Sequence, residues 1–182
     1  LFRIFYSTGD KYNDGYYYAK KDGSLLVNEL CKSDNRYGIG ITYYFGADAK
    51  GISGIQTIDG KKYLFTNGVL AKNGTYCDGR ADYISEGDGT AIKAKKGWNK
   101  VEGNYYYLTD DFGFYQNQIV MIGNSLFGFD SKGRMYDNEC FNSDGVYGAK
   151  KGGYLYVNSW AEFNGSMYYF GEQGEACCDL QT

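Results

Sequence analysis

The chain has 182 residues, of which 19% are aromatic, with 21 Tyr and 27 Gly but no Pro and no His, and its formal net charge is −3. That composition favours strands and tight turns over helices, and the interspersed charges leave no footprint for nucleic acid or an anionic membrane surface. Without His, Ser–His and Cys–His nucleophiles are excluded, and no run of 18 apolar residues reads as a membrane-spanning helix.

In chain order, one pattern recurs: a short aromatic run, a few polar residues, a glycine, then an apolar or small residue. The copies are "YYYAKKDGSL", "YYFGADAKGI", "KYLFTNGVL", "DYISEGDGTA", "YYYLTDDFGF", "LFGFDSKGRM", "VYGAKKGGYL" and "MYYFGEQGEA". Their turn glycines are Gly23, Gly51, Gly68, Gly89, Gly113, Gly133, Gly152 and Gly174, on average about 22 residues apart. A second turn signal opens most copies: "NDG" at 13, "DG" at 59, 78 and 144, "EGN" at 102, "GNS" at 123 and "NG" at 164. Each copy therefore reads as strand, tight turn, strand, tight turn.

In the stretch 59–74, "DGKKYLFTNGVLAKNG", two strands and three turn signals cannot enclose a core. Two or three rings per hairpin do not offset the ordering of some twenty residues, so the hairpins must lean on one another. The predicted fold is all-β, a β-hairpin solenoid of about eight repeats, in a single domain over 1–182. Residues 82–100 are the least regular, and "AIKAKKGW" is expected to form a longer turn.

The five cysteines (Cys31, Cys77, Cys140, Cys177 and Cys178) have no CxxC spacing. The first three read as half-buried small apolar groups, and no metal site or cofactor is expected. "SEGDG" and "LTDD" lack the full calcium-loop spacing and read as solvated turns. The carboxylates sit in turns with nothing to raise a pKa, so no catalytic residue is assigned and the chain is not expected to be an enzyme. Beginning at Leu1 without Met, it reads as a piece of a longer protein.

The repeats resemble a known superfamily. "GIQTIDGKKYLFTNGVLAKNG" (54–74) is similar to a glucan-binding repeat, and "KKGWNKVEGNYYYLTDDFG" (95–113) and "VNSWAEFNGSMYYFGEQG" (157–174) are similar to choline-binding repeats. Both kinds belong to the cell-wall-binding repeat superfamily of Gram-positive surface proteins. The resemblance implies a left-handed hairpin solenoid that attaches a separate module to wall choline or to α-glucan, with ligands held by aromatic rings between hairpins. It points to Trp98, Tyr105, Tyr106 and Tyr107 in one copy and to Trp160, Tyr168 and Tyr169 in another as ligand-binding residues.

Where a choline repeat carries tryptophan before its tyrosine pair, this chain has Tyr105 and Met167. Tyrosine-lined grooves suit sugars, whose C–H faces stack on rings while hydroxyls find polar partners. Trp98 is expected over the junction with the preceding hairpin. The function expected is therefore a non-catalytic, secreted or cell-surface module that binds α-glucan or wall polysaccharide, with choline as a second ligand. A structural stalk and a toxin-type array that binds host glycans are the alternatives. Nucleic-acid binding and membrane insertion are not expected, and the terminal hairpins are expected to favour self-association.

Overall fold

The computed structural model describes residues 2–6, 15–34, 40–77, 81–111 and 113–177, and all regular structure among them is β. Cys178 and the turn signals at 13–14 and 78–79 lie outside the described residues. The chain divides into two compact units, Leu1–Lys93 and Ala94–Thr182.

In the first unit, β1 (Phe2–Tyr6) pairs with β2 (Gly15–Ala19). A five-stranded antiparallel sheet follows, made of β3 (Glu29–Asp34), β4 (Gly40–Phe45), β5 (Gly54–Ile58), β6 (Lys61–Thr66) and β7 (Val69–Leu70), in the order β3-β4-β7-β6-β5. The strands β8 (Gly74–Cys77), β9 (Asp82–Ser85) and β10 (Ala91–Lys93) form a third sheet with β9 in the middle.

The second unit is more regular. It holds four separate antiparallel hairpins: β11 (Gly97–Val101) with β12 (Asn104–Leu108), β13 (Gln118–Ile122) with β14 (Ser125–Phe129), β15 (Cys140–Asn142) with β16 (Val146–Gly148), and β17 (Ser159–Phe163) with β18 (Ser166–Phe170).

Local chemistry sets these elements. At Glu102-Gly103 and Asn164-Gly165 both central residues have positive φ (47° and 84°; 52° and 78°), the type I′ geometry whose twist matches the strands it joins. The second turn of each copy folds the chain back beside its own hairpin. After β14, the Asp130 N–H donates to Arg134 O (2.9 Å) and the Gly133 N–H to Asp130 O (3.0 Å), which sets Met135 against Phe129. The same pair of bonds recurs from Lys20, Gly46, Glu86, Lys150 and Gly171.

Two expectations are corrected. Gly51 is not the turn residue of its copy: Ala49 has the positive φ (59°), and Gly51 instead lets two backbones meet, since a Cβ there would lie 2.9 Å from Gly68 Cα. "AIKAKKGW" is not a longer turn either. It holds β10 and the start of β11, and the boundary between the two units falls within it.

Packing in the second unit runs from hairpin to hairpin. The fold-back segment after one hairpin bonds to the hairpin before it: Met135 N–H to Tyr105 O (2.8 Å), Leu155 N–H to Leu126 O (2.9 Å) and Ala176 N–H to Val146 O (2.7 Å). Rings fill the spaces between. Phe127, Phe129 and Met135 form one buried group flanked by Tyr105, Tyr107 and Tyr115; Phe141, Tyr147, Ala149 and Leu155 form the next. Burial of these rings supplies the hydrophobic gain that a single hairpin lacks.

Candidate functional site

Strand pairing places Trp98 of β11 opposite Tyr107 of β12, and Lys100 opposite Tyr105. The indole meets Tyr107 edge-on at 5.1 Å between centroids and Tyr105 at 6.5 Å. Its other neighbours are Phe127, at 5.0 Å, and Phe129, at 6.1 Å, both on β14. Trp98 therefore packs on the hairpin that follows it. Phe127 and Phe129, two apart on one strand, present both rings to the same face, and Trp98 covers them.

With 36% of its surface exposed, Trp98 forms one wall of a cavity of about 270 Å³. The other lining residues are Tyr105, Phe127, Met135, Gly152 and Tyr154. Three successive hairpins contribute: β11–β12 gives Trp98 and Tyr105, β13–β14 with its fold-back gives Phe127 and Met135, and the fold-back after β16 gives Gly152 and Tyr154. Tyr154 stands half-exposed against Phe127, with ring centroids 5.1 Å apart. At Gly152 (φ 95°) a Cβ would sit 3.3 Å from the Tyr154 ring, so bare backbone leaves that ring its place. Rings dominate the lining, and an ammonium stands beside it: Lys100 Nζ lies over the Tyr105 ring, 4.9 Å from its centroid.

The residues singled out from the sequence separate into groups. Trp98 and Tyr105 meet at the cavity. Tyr107 stands behind Trp98, stacked on Tyr115 at 5.6 Å. Tyr106 leaves the group: it is 1% exposed on the opposite face of β12, and burial pushes its hydroxyl pKa up. In the last hairpin, Trp160 is 53% exposed and pairs with Tyr169 at 5.3 Å, while Tyr168 faces Phe163 and Phe170 instead. Phe127, Met135 and Tyr154 are not among the residues singled out, and Gly152 is named only as a turn glycine. They come to Trp98 from one and two repeats further on.

Among the described residues, no group of three His, Cys, Asp or Glu side chains is placed to hold a metal ion. Cys31 and Cys140 are half-buried, and burial raises both thiol pKa values. Cys77, expected to be half-buried, is exposed on its strand.

No known family model matches the chain. It is 26% identical to Glucosyltransferase-S of Streptococcus mutans over 168 residues, which is 91% of this chain and 11% of that protein. To Glucosyltransferase-S of Streptococcus downei it is 27% identical over 149 residues, 79% of this chain and 10% of that protein. The chain thus spans about a tenth of the length of these relatives. Among solved structures, the modular autolysin LytC of Streptococcus pneumoniae is matched over 95% of this chain and 37% of its own, with 24% identity and a TM-score of 0.41. The choline-binding domain of CbpL from the same organism is matched over 95% and 85%, with 21% identity and a TM-score of 0.39.

Proposed function

We propose that this chain, whose repeats resemble those of the cell-wall- and glucan-binding repeat superfamily, is a non-catalytic carbohydrate-binding module. It works as a hairpin solenoid of about eight repeats over 1–182. At the cell surface it holds an attached module on α-glucan or wall polysaccharide. The observation that carries this reading is the Trp98 cavity, where rings from three successive hairpins line one cleft. A sugar ring offers a C–H face to Trp98 or Tyr154, and tyrosine hydroxyls at the same cleft suit its polar edge.

Several rings around one cleft also suit a quaternary ammonium, which makes choline the second reading. Lys100 favours the sugar. Its ammonium already lies over Tyr105, so a bound cation would meet a like charge where a neutral pyranose would not. Affinity per site is expected in roughly the millimolar range, with retention gained from several sites on one polymer.

The test is titration of the protein with dextran and with choline, together with Trp98→Ala. Loss of polysaccharide retention by a folded Trp98→Ala variant is the expected outcome. Saturable choline binding without dextran binding would reverse the two readings.

A further inference from the structure

A second cavity, of about 420 Å³, lies one repeat further along the same unit. Its polar lining is Asn124 from the β13–β14 turn, Ser125 at the start of β14, Lys150 from the fold-back after β16 and Glu172 from the fold-back after β18. Its apolar lining includes Met121, 61% exposed, and Tyr154, which also walls the Trp98 cavity. The two cavities therefore adjoin across one ring.

We propose that this second cavity is a contiguous subsite, taking the next uncharged sugar residue of the same glycan chain that stacks at Trp98. The proposal rests on the glycan reading of the Trp98 cavity and adds a length requirement to it. Each volume is near the low end of small-molecule sites, roughly 300–1,000 Å³, and so fits one or two sugar-sized groups rather than a long segment. The polar groups differ between the two: the first cavity is lined mainly by rings, two of them tyrosines, whereas the second has an amide, a hydroxyl, an ammonium and a carboxylate. Hydroxyls on a pyranose can donate to Glu172 and accept from Lys150, and an amide does either. One cation and one anion leave the lining without net charge, which disfavours a polyanionic chain and suits a neutral one. Among the described residues neither Lys150 nor Glu172 forms an ion pair; Lys150 Nζ lies instead 4.8 Å from the centroid of the Tyr156 ring.

The experiment is an NMR-monitored titration of the whole chain with glucose, isomaltose and isomaltotriose, comparing wild type, the double variant Asn124→Ala/Glu172→Gln, and Trp98→Ala. The wild type should gain affinity from glucose to isomaltotriose. The double variant should lose about tenfold for isomaltotriose, the scale of one or two charge-assisted hydrogen bonds, and keep its glucose affinity. Trp98→Ala should weaken all three sugars. Both altered side chains of the double variant are exposed, so folding should persist, and circular dichroism checks it. Unchanged isomaltotriose binding by the double variant would overturn the subsite while leaving the glycan reading standing. No binding of any saccharide by wild type would overturn the glycan reading itself, and the subsite with it.

Discussion

Gly128→Ala places one methyl group against a pair of stacked rings. A Cβ built on Gly128 lies 2.5 Å from Phe141 Cζ, 3.1 Å from Phe141 Cε2 and 3.1 Å from Tyr136 Cδ2. Carbon atoms settle at about 3.5–4.0 Å, so Phe141 must retreat by about 1 Å. It has little room: Tyr136 stacks on it at 3.7 Å with 7° between planes, and Tyr147 lies at 5.7 Å. Overpacking of this kind costs about 1–3 kcal/mol. Against it stands the gain of about 0.4–1 kcal/mol from stiffening the unfolded chain, open to Gly128 because its φ is not positive. The net expectation is destabilisation by about 1–2 kcal/mol. Urea unfolding followed by tryptophan fluorescence is the suitable assay, since Trp98 and Trp160 both lie in the second unit and report on it alone. A midpoint equal to or above wild type would refute the reasoning.

Gly148→Ala should behave alike, because its Cβ would lie 2.7 Å from Phe163 and 2.8 Å from Phe170; the same unfolding assay checks it. Lys100→Ala should raise choline affinity a few-fold and leave dextran binding nearly unchanged, measured by parallel titrations; equal choline binding would show that the ammonium does not guard the cleft. Truncation after Val157 removes β17 and β18 whole, and should leave Trp98 in a native environment with a lower urea midpoint. Loss of all Trp98 burial would indicate one indivisible core. Asp88 accepts hydrogen bonds from the Thr90 N–H (2.7 Å) and hydroxyl (2.9 Å), the backbone bond first, and these hold its carboxyl below the ordinary aspartate range. With its folded pKa depressed, its stabilising effect is full above the unfolded pKa and is lost as pH falls through the folded one. In NMR titration Asp88 should therefore protonate at lower pH than the same residue in urea, and coincident midpoints would count against this.

Much of this fold is visible in single residues. Turn pairs such as Glu102-Gly103 and Asn164-Gly165 announce their hairpins because few residues tolerate two positive φ values in succession. Less visible is what a neighbour does. Nothing around Val69 says that two residues after a tight turn will join β4 to β6 and build a five-stranded sheet. Ala49 hides a left-handed turn because only its hydrogen-bonded surroundings demand it. For the site, the resemblance named Tyr105, Tyr106 and Tyr107 together, although strand alternation turns Tyr106 to the other face, where it is buried. The partners of Trp98 were not legible, since Tyr154 lies 56 positions away and reaches the indole's cleft only through two intervening hairpins.

The backbone bonds from Met135 to Tyr105, Leu155 to Leu126 and Ala176 to Val146 span 30, 29 and 30 positions, more than one repeat each. Such a joint treats the repeat as its unit of account in heredity as well as in space. Unequal recombination that adds or drops a whole repeat leaves each donor facing an equivalent acceptor. A change of part of a repeat instead shifts every joint whose span contains it, and two joints at once where the spans overlap, at 126–135 and 146–155. Lineages can therefore lengthen or shorten this array in whole steps without reshaping what remains.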